Sequence, residues 1–223
     1  MFEPALSLTD LVLGVAVVVI ALVLRARRLP AQWLPVFWWT AGAACAGFVH
    51  HGWVSSESAL ADPSAAAING LVIMALSYLL AATVHEVVGP GRRDVFWPLR
   101  LASLVVYAAL ALAGRPGAGS LVLAESVTMA IVVGLWVRAL LAGVPGATRV
   151  VWALVVSAVA GCTTLIPERV TGLVGLDPSS LYHLTQIPGL ALLAWAIDRM
   201  HRDPARASSL VPMPSPTTAI DLA

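Results

Sequence analysis

Lysine is absent from the sequence, and all thirteen basic side chains are arginines. Without lysine the chain cannot form a retinal Schiff base or use a catalytic amine, which excludes a seven-helix rhodopsin. Charged residues are also scarce, at 11% of the chain, whereas a soluble domain carries about 25%. Together with 59% hydrophobic residues, this composition excludes a soluble enzyme, a nucleic-acid-binding protein and a disordered chain. It predicts an integral membrane protein whose partners are membrane lipids.

Cysteine is rare as well, and the two cysteines are Cys45 and Cys162. Both lie in apolar runs, where free cysteine behaves as a small hydrophobic residue, so no disulfide framework is expected. A net charge of +1 gives no electrostatic reason to expect a nucleic-acid partner. The N-terminus has no basic leader, because Glu3 and Asp10 are its charged residues. The first apolar run is therefore expected to be an uncleaved helix.

Seven apolar runs approach the length of about 20 residues that a transmembrane helix needs. Gly, Pro or charged residues end most of these runs. The sequence therefore predicts an all-α fold, a polytopic bundle of seven transmembrane helices within residues 1–198. The runs are called spans 1 to 7 and cover residues 8–24, 33–54, 65–88, 97–113, 120–142, 148–166 and 179–197.

Two of the helix starts carry a capping pattern. Ser7 and Asp10 open span 1 at the spacing of a capping box. Asp177 precedes Pro178 at the start of span 7, as expected for an N-cap residue followed by proline at the first helical position. We therefore expect all three polar side chains at helix N-termini.

The arginines indicate how the bundle is oriented. Eleven of the thirteen lie at loops 1, 3 and 5 or in the C-terminal tail, and only Arg115 and Arg169 lie in the other loops. Because cytoplasmic loops collect positive charge, the N-terminus is predicted outside and the C-terminus in the cytoplasm. Only an odd number of spans satisfies this arrangement.

The cytoplasmic side is expected to be solvated. Residues 199–223 are rich in Pro, Ser and Thr, which predicts a disordered cytoplasmic tail with a solvated His201. His85 and Glu86 end span 3 near Arg92 and Arg93. This grouping predicts an interfacial ion cluster.

Polar side chains from six spans fall at one depth, toward the outer face. His50 and His51 lie near the outer end of span 2, and His183 lies near the outer start of span 7. Ionisable groups at membrane depth are rare and mark functional sites. Consecutive helical residues are about 100° apart, so only one of the two span 2 histidines can face the bundle well. The rest of this polar layer consists of Asp10, Asn69, Glu125, Thr163, Thr164 and Gln186.

Imidazole and carboxylate groups are typical zinc ligands. The candidate metal ligands are His183 and either His50 or His51, and Glu125 is the candidate catalytic residue, as general base or as third ligand. Two other hypotheses stay open. The polar layer can join the helices in a non-enzymatic structural or ligand-sensing bundle. Alternatively, the histidines of spans 2 and 7 are axial haem ligands in an electron-transfer protein.

The span pattern resembles the ceramidase and adiponectin-receptor-like superfamily of intramembrane metal hydrolases. The resemblance lies in seven spans, an outer N-terminus, and histidines on spans 2 and 7 at matching depth. It implies a zinc-dependent hydrolase acting on a lipid amide or ester. The superfamily also has a serine one turn before the span 2 histidine, an aspartate on span 3 and a second histidine on span 7. This sequence has Ala46 or Gly47, Asn69 and Gln186 instead.

A second resemblance is to uncharacterised bacterial seven-helix membrane proteins. These proteins have a His-Gly pair on span 2, which matches His51 and Gly52 here. They also have a Tyr-His-x-x-Gln segment on span 7, which matches Tyr182, His183 and Gln186. This resemblance implies the same fold and no particular activity.

Overall fold

A computed structural model describes residues 4–56, 58–89, 97, 105, 107–109, 113 and 118–203. Within these residues the chain forms helices and no strand. The α-helices are α1 (Pro4–Ala26), α2 (Leu34–Val49), α3 (Ser58–Val87), α4 (Ala118–Leu141), α5 (Ala147–Cys162), α6 (Glu168–Thr171) and α7 (Pro178–Arg202). A π-helical turn, His50–Val54, follows α2, and the 3₁₀ turns Thr163–Leu165 and Gly172–Val174 flank α6.

Four helical stretches of the described chain are long and apolar enough to cross a membrane. They are α1, most of α3, the last three-quarters of α4, and α5 with the turn that follows it. This is consistent with a membrane protein. The α-helical part of α2 has only 16 residues, because the chain changes to the π-helical turn after Val49. Most of span 4 lies outside the described residues.

The helices pack in a closed order that brings the first and last together. Helix α1 packs against α2 and α7, α2 packs against α3, and α4 packs against α3 and α5. Helix α5 in turn packs against α7. The largest fully buried side chains, among them Trp33, Phe37 and Trp136, lie in the half of the bundle that holds the C-terminal end of α7.

One capping prediction is confirmed and one is wrong. Asp177 caps α7, because its Oδ1 accepts the backbone N–H groups of Ser179 and Ser180 at 2.8 and 2.9 Å. Helix α1, however, already begins at Pro4. Ser7 and Asp10 therefore lie inside the helix and cap nothing; both are buried against neighbouring helices.

The end of α7 also differs from prediction. The helix continues to Arg202, past the expected domain boundary at residue 198. Asp198 allows this, because its two oxygens accept from Arg202 Nε at 2.9 Å and from Arg27 Nη1 at 2.8 Å. His201 is helical rather than part of a solvated tail, and residues 204–223 lie outside the described residues.

The expected interfacial ion cluster around Glu86 is instead a buried hydrogen-bonded group. The Glu86 side chain is 3% exposed. Its Oε1 accepts from Gln32 Nε2 at 2.9 Å, from Trp33 Nε1 at 3.2 Å and from His201 Nε2 at 3.0 Å. This group ties the C-terminal end of α7 to α3 and to the start of α2. Arg92 and Arg93 lie outside the described residues.

Candidate functional site

A buried carboxylate lies where α1, α2 and α7 meet. Asp10 on α1 is 4% exposed. A Cβ atom built on Gly47 of α2 would come within 2.5 Å of Asp10 Oδ2, a distance that real Cβ atoms do not show. The carboxylate therefore fits between the helices because position 47 has no side chain.

Two imidazoles lie beside this carboxylate, one from each neighbouring helix. His183 Nδ1 on α7 is 3.2 Å from Asp10 Oδ1. His51 Nε2 in the π-helical turn is 4.0 Å from Asp10 Oδ2. Within the described residues, neither Asp10 Oδ2 nor His183 Nδ1 has a hydrogen-bond partner. The group of Asp10, His51 and His183, called the Asp-His site below, therefore joins three helices without hydrogen bonds to two of its buried polar atoms.

The π-helical turn holds the second histidine against α1. It is closed by a bond from the Ser55 N–H to the His50 carbonyl at 2.7 Å. Gly52 in this turn lies close to α1, since a Cβ there would be 2.9 Å from Ser7 Oγ. Ser7 in turn donates to the Phe48 carbonyl at 2.9 Å. Such π-helical turns are frequent at functional sites because they redirect side chains.

The turn also separates the two adjacent histidines. His50 Nδ1 lies 2.6 Å from Ser64 Oγ on α3, whereas His51 faces Asp10 on α1. The two rings meet edge to face, with centroids 4.8 Å apart. Of the two histidines that the sequence leaves as alternatives, His51 is thus the one at the buried carboxylate.

The structure pairs Glu125 with a tyrosine that the sequence analysis gave no role. The hydroxyl of Tyr182 on α7 lies beside the carboxyl of Glu125 on α4. The Tyr182 ring is next to the ring of His183, with centroids 5.8 Å apart. Glu125 is thus linked to the Asp-His site through adjacent residues of α7.

The remaining polar-layer residues lie on α3, on α7 and in the turn after α5. Asn69 on α3 and Gln186 on α7 are half-buried. Thr163 donates to the carbonyl of Ala160 at 2.6 Å and lies 3.5 Å from the hydroxyl of Thr185 on α7. In the described part of the chain, no three His, Cys, Asp or Glu side chains have the spacing of a preformed metal site.

Comparison with known protein families matches residues 5–202 to a family of unknown function, DUF6962. The chain belongs to this family. All residues of the Asp-His site, as well as Tyr182 and Glu125, fall within the matched range. No curated protein and no solved structure matches the chain. The resemblance to the ceramidase and adiponectin-receptor-like superfamily stays a prediction.

Sequence reasoning underrated three residues of this DUF6962 chain. Asp10 was placed in the polar layer, but its central position was not expected because it was interpreted as a cap. Its signal was a single carboxylate in the 23-residue helix α1. The other charged residue of that helix is Arg25, in its last turn. Ser7 was interpreted only as a cap and Tyr182 only as part of the Tyr-His-x-x-Gln segment, because their contacts depend on which helices lie beside them.

Proposed function

We propose that this protein is a seven-span bacterial plasma-membrane protein with its N-terminus outside and its C-terminus in the cytoplasm. The arginine distribution supports this orientation. The four apolar helical stretches support membrane insertion. In this arrangement the Asp-His site lies in the outer half of the membrane, because Asp10 is close to the start of α1 and His183 is close to the start of α7.

We further propose that the Asp-His site binds a divalent transition-metal ion, with zinc as the best candidate. One carboxylate and two imidazoles are the donor types that zinc prefers. Ligand atoms about 2.0–2.2 Å from one tetrahedral ion are about 3.4 Å apart. The present distances run to different oxygens of Asp10, 3.2 Å from Oδ1 to His183 and 4.0 Å from Oδ2 to His51, so these side chains would have to move to hold one ion.

The observation that carries this proposal is the burial of a carboxylate beside two imidazoles, with His183 Nδ1 3.2 Å from Asp10 Oδ1. A buried charged group without partners costs several kcal/mol, so native proteins pair such groups or bind a cation. Asp10 Oδ2 and His183 Nδ1 lack hydrogen bonds within the described residues. A bound cation would satisfy both atoms at once.

The proposed activity is hydrolysis of a lipid ester or amide. A bound zinc ion would supply a water whose pKa is lowered to about 7. Asp10, His51 and His183 would hold the ion, and the Tyr182–Glu125 pair would hold a proton next to them. The lipid substrate class is supported by the membrane depth of the site and by the superfamily resemblance.

Metal analysis of the purified full-length protein tests the site. Wild type is expected to contain about one zinc per chain, and Asp10→Ala, His51→Ala and His183→Ala to contain none. His50→Ala is the matched control, because His50 is adjacent in sequence but contacts Ser64, so this variant should keep its zinc. Circular dichroism checks that each variant is folded.

Three outcomes would contradict the proposal. A wild type without any transition metal would refute the metal site. Equal metal loss in His50→Ala and His51→Ala would refute the assignment of His51. A metal-loaded protein that hydrolyses no fluorogenic lipid ester or amide would refute the activity while leaving the site intact. The haem hypothesis would be supported instead by a Soret band in the visible spectrum, and the structural hypothesis by folded, metal-free wild type.

A further inference from the structure

The segment that joins α5 to α7 exposes a group of large apolar side chains. Leu165, Leu173 and Val174 are 81%, 84% and 67% exposed, and Val170 of α6 is also exposed. Soluble proteins rarely expose several such side chains together, and contiguous apolar patches mark contacts with a protein or a membrane. This segment therefore requires an apolar partner.

The same segment makes internal hydrogen bonds and buries one of its polar side chains. The Val170 N–H donates to the Pro167 carbonyl at 2.8 Å, and the Gly175 N–H donates to the Gly172 carbonyl at 3.1 Å. The Thr171 side chain is buried. Backbone that enters a lipid environment must satisfy its hydrogen bonds internally. The turns of this segment meet part of that requirement without a protein partner.

The exposed side chains continue a lipid-facing surface. The candidate membrane span Ala147–Leu165 ends at Leu165 itself. Val155 and Val159 are exposed on the preceding part of that span. Asp177 then caps α7, so in the proposed seven-span topology both ends of the segment lie at one surface of the membrane. The segment cannot move far from that surface, because only eleven residues separate Leu165 from Asp177.

We propose that residues 165–174 lie in the membrane interface, in the leaflet beside the Asp-His site. Leu165, Val170 and Leu173 contact lipid there, at the depth of about 5–10 Å that is typical of interfacial helices. The exposed Glu168 and Arg169 remain at the level of the lipid headgroups. The partner is the lipid bilayer rather than a second protein, since the apolar surface is continuous with that of α5. This proposal does not depend on the metal site.

Site-directed spin labelling tests the depth of this segment. Cys45→Ser and Cys162→Ser remove the native thiols, and Leu173→Cys carries a nitroxide label. The labelled full-length protein is reconstituted into phosphatidylcholine–phosphatidylglycerol vesicles. Collision of the label with oxygen, which concentrates in lipid, is then compared with collision with a water-soluble nickel chelate. Val159→Cys is the reference for a lipid-facing position, and Glu168→Cys is the reference for a water-facing position.

The oxygen-to-nickel collision ratio at position 173 is expected to match that at Val159 and to exceed that at Glu168 several-fold. A ratio equal to that at Glu168 would overturn the proposal, because the segment would then lie in water. Low collision with both reagents would also overturn it, because a protein surface would then cover the segment. Val174→Cys provides the same measurement if Leu173→Cys does not fold.

Discussion

The substitution Gly47→Ala adds one methyl group on α2 and should disrupt the Asp-His site, whose carboxylate lies on α1. In Gly47→Ala the new Cβ would lie 2.5 Å from Asp10 Oδ2 and 2.8 Å from Asp10 Cγ. Ordinary contact begins near 3.4 Å, so the carboxylate or the whole of α1 must move by about 1 Å. The carboxylate has little room, because its other oxygen lies 3.2 Å from His183 Nδ1.

Overpacking of this kind destabilises proteins by about 1–3 kcal/mol. Alanine also favours a helix over glycine by about 1 kcal/mol, which opposes the clash. Gly42→Ala on the same helix separates the two effects, because a Cβ at Gly42 meets no atom within 4 Å. We expect Gly42→Ala to be neutral or stabilising and Gly47→Ala to be about 1–3 kcal/mol less stable than that control.

Thermal or denaturant unfolding of both variants in detergent, followed by circular dichroism, measures this difference. A double-mutant cycle then assigns it to Asp10, since Asp10→Ala removes the atoms that would clash. The effect of Gly47→Ala should become small in the Asp10→Ala background. If Gly47→Ala is as stable as Gly42→Ala, or is equally destabilising with and without Asp10, the described contact between α1 and α2 is refuted.

Three other substitutions test separate parts of the bundle. Burial raises the pKa of Asp177, but hydrogen bonds from the first turn of α7 outweigh this and lower it below its ordinary value. Asp177→Ala should therefore lower the free energy of unfolding by about 1 kcal/mol near neutral pH. This difference from wild type should vanish as pH falls below about 4 and the carboxylate becomes protonated. A difference that persists in acid would contradict the cap. Trp136→Phe removes the buried bond to Thr83 and should reduce the unfolding free energy by about 0.5–1.5 kcal/mol, whereas the exposed Trp152→Phe should not. Glu86→Ala leaves three donors without their acceptor and should reduce the unfolding free energy by about 2–4 kcal/mol. An unchanged stability would show that the hydrogen-bonded group around Glu86 is not formed.

Much of the helical architecture could be predicted from apolar run length, which is a strong signal in membrane proteins. Spans 1, 2, 3, 5, 6 and 7 all have helices in the described structure. The ends were less predictable, because a helix continues past its apolar run when its polar side chains find partners. Helix α7 extends beyond span 7 because Asp198 pairs with Arg202 one turn later and with Arg27 on another element.

The site was predictable in depth but not in its contacts. The sequence placed the histidines of spans 2 and 7 in one layer with Asp10, but it left His50 and His51 as alternatives. Which of the two histidines faces α1 depends on the π-helical turn that begins at His50. Periodicity based on an α-helix cannot reveal such a turn, since one extra residue rotates every side chain that follows.

The sequence also did not reveal that two glycines lie opposite polar side chains of a neighbouring helix. Gly47 faces Asp10, and Gly52 faces Ser7. Each pair lets a polar group of α1 reach into the surface of the next helix. Small residues in membrane helices are usually interpreted as sites of close backbone approach. Here the glycines make space for polar side chains. Which glycine faces which polar side chain depends on the register between the two helices.

The three buried carboxylates of the described bundle differ in how they are satisfied. Glu86 accepts hydrogen bonds from three side chains, and Asp198 is bound by two arginines. The chain therefore supplies donors for a buried carboxylate at the C-terminal end of α7. At Asp10 it instead supplies two imidazoles and leaves Oδ2 without a hydrogen bond within the described residues. The two kinds of partner differ chemically, because the donors at Glu86 and Asp198, apart from His201, can only donate hydrogen bonds to a carboxylate, whereas an imidazole nitrogen can also bind a metal ion.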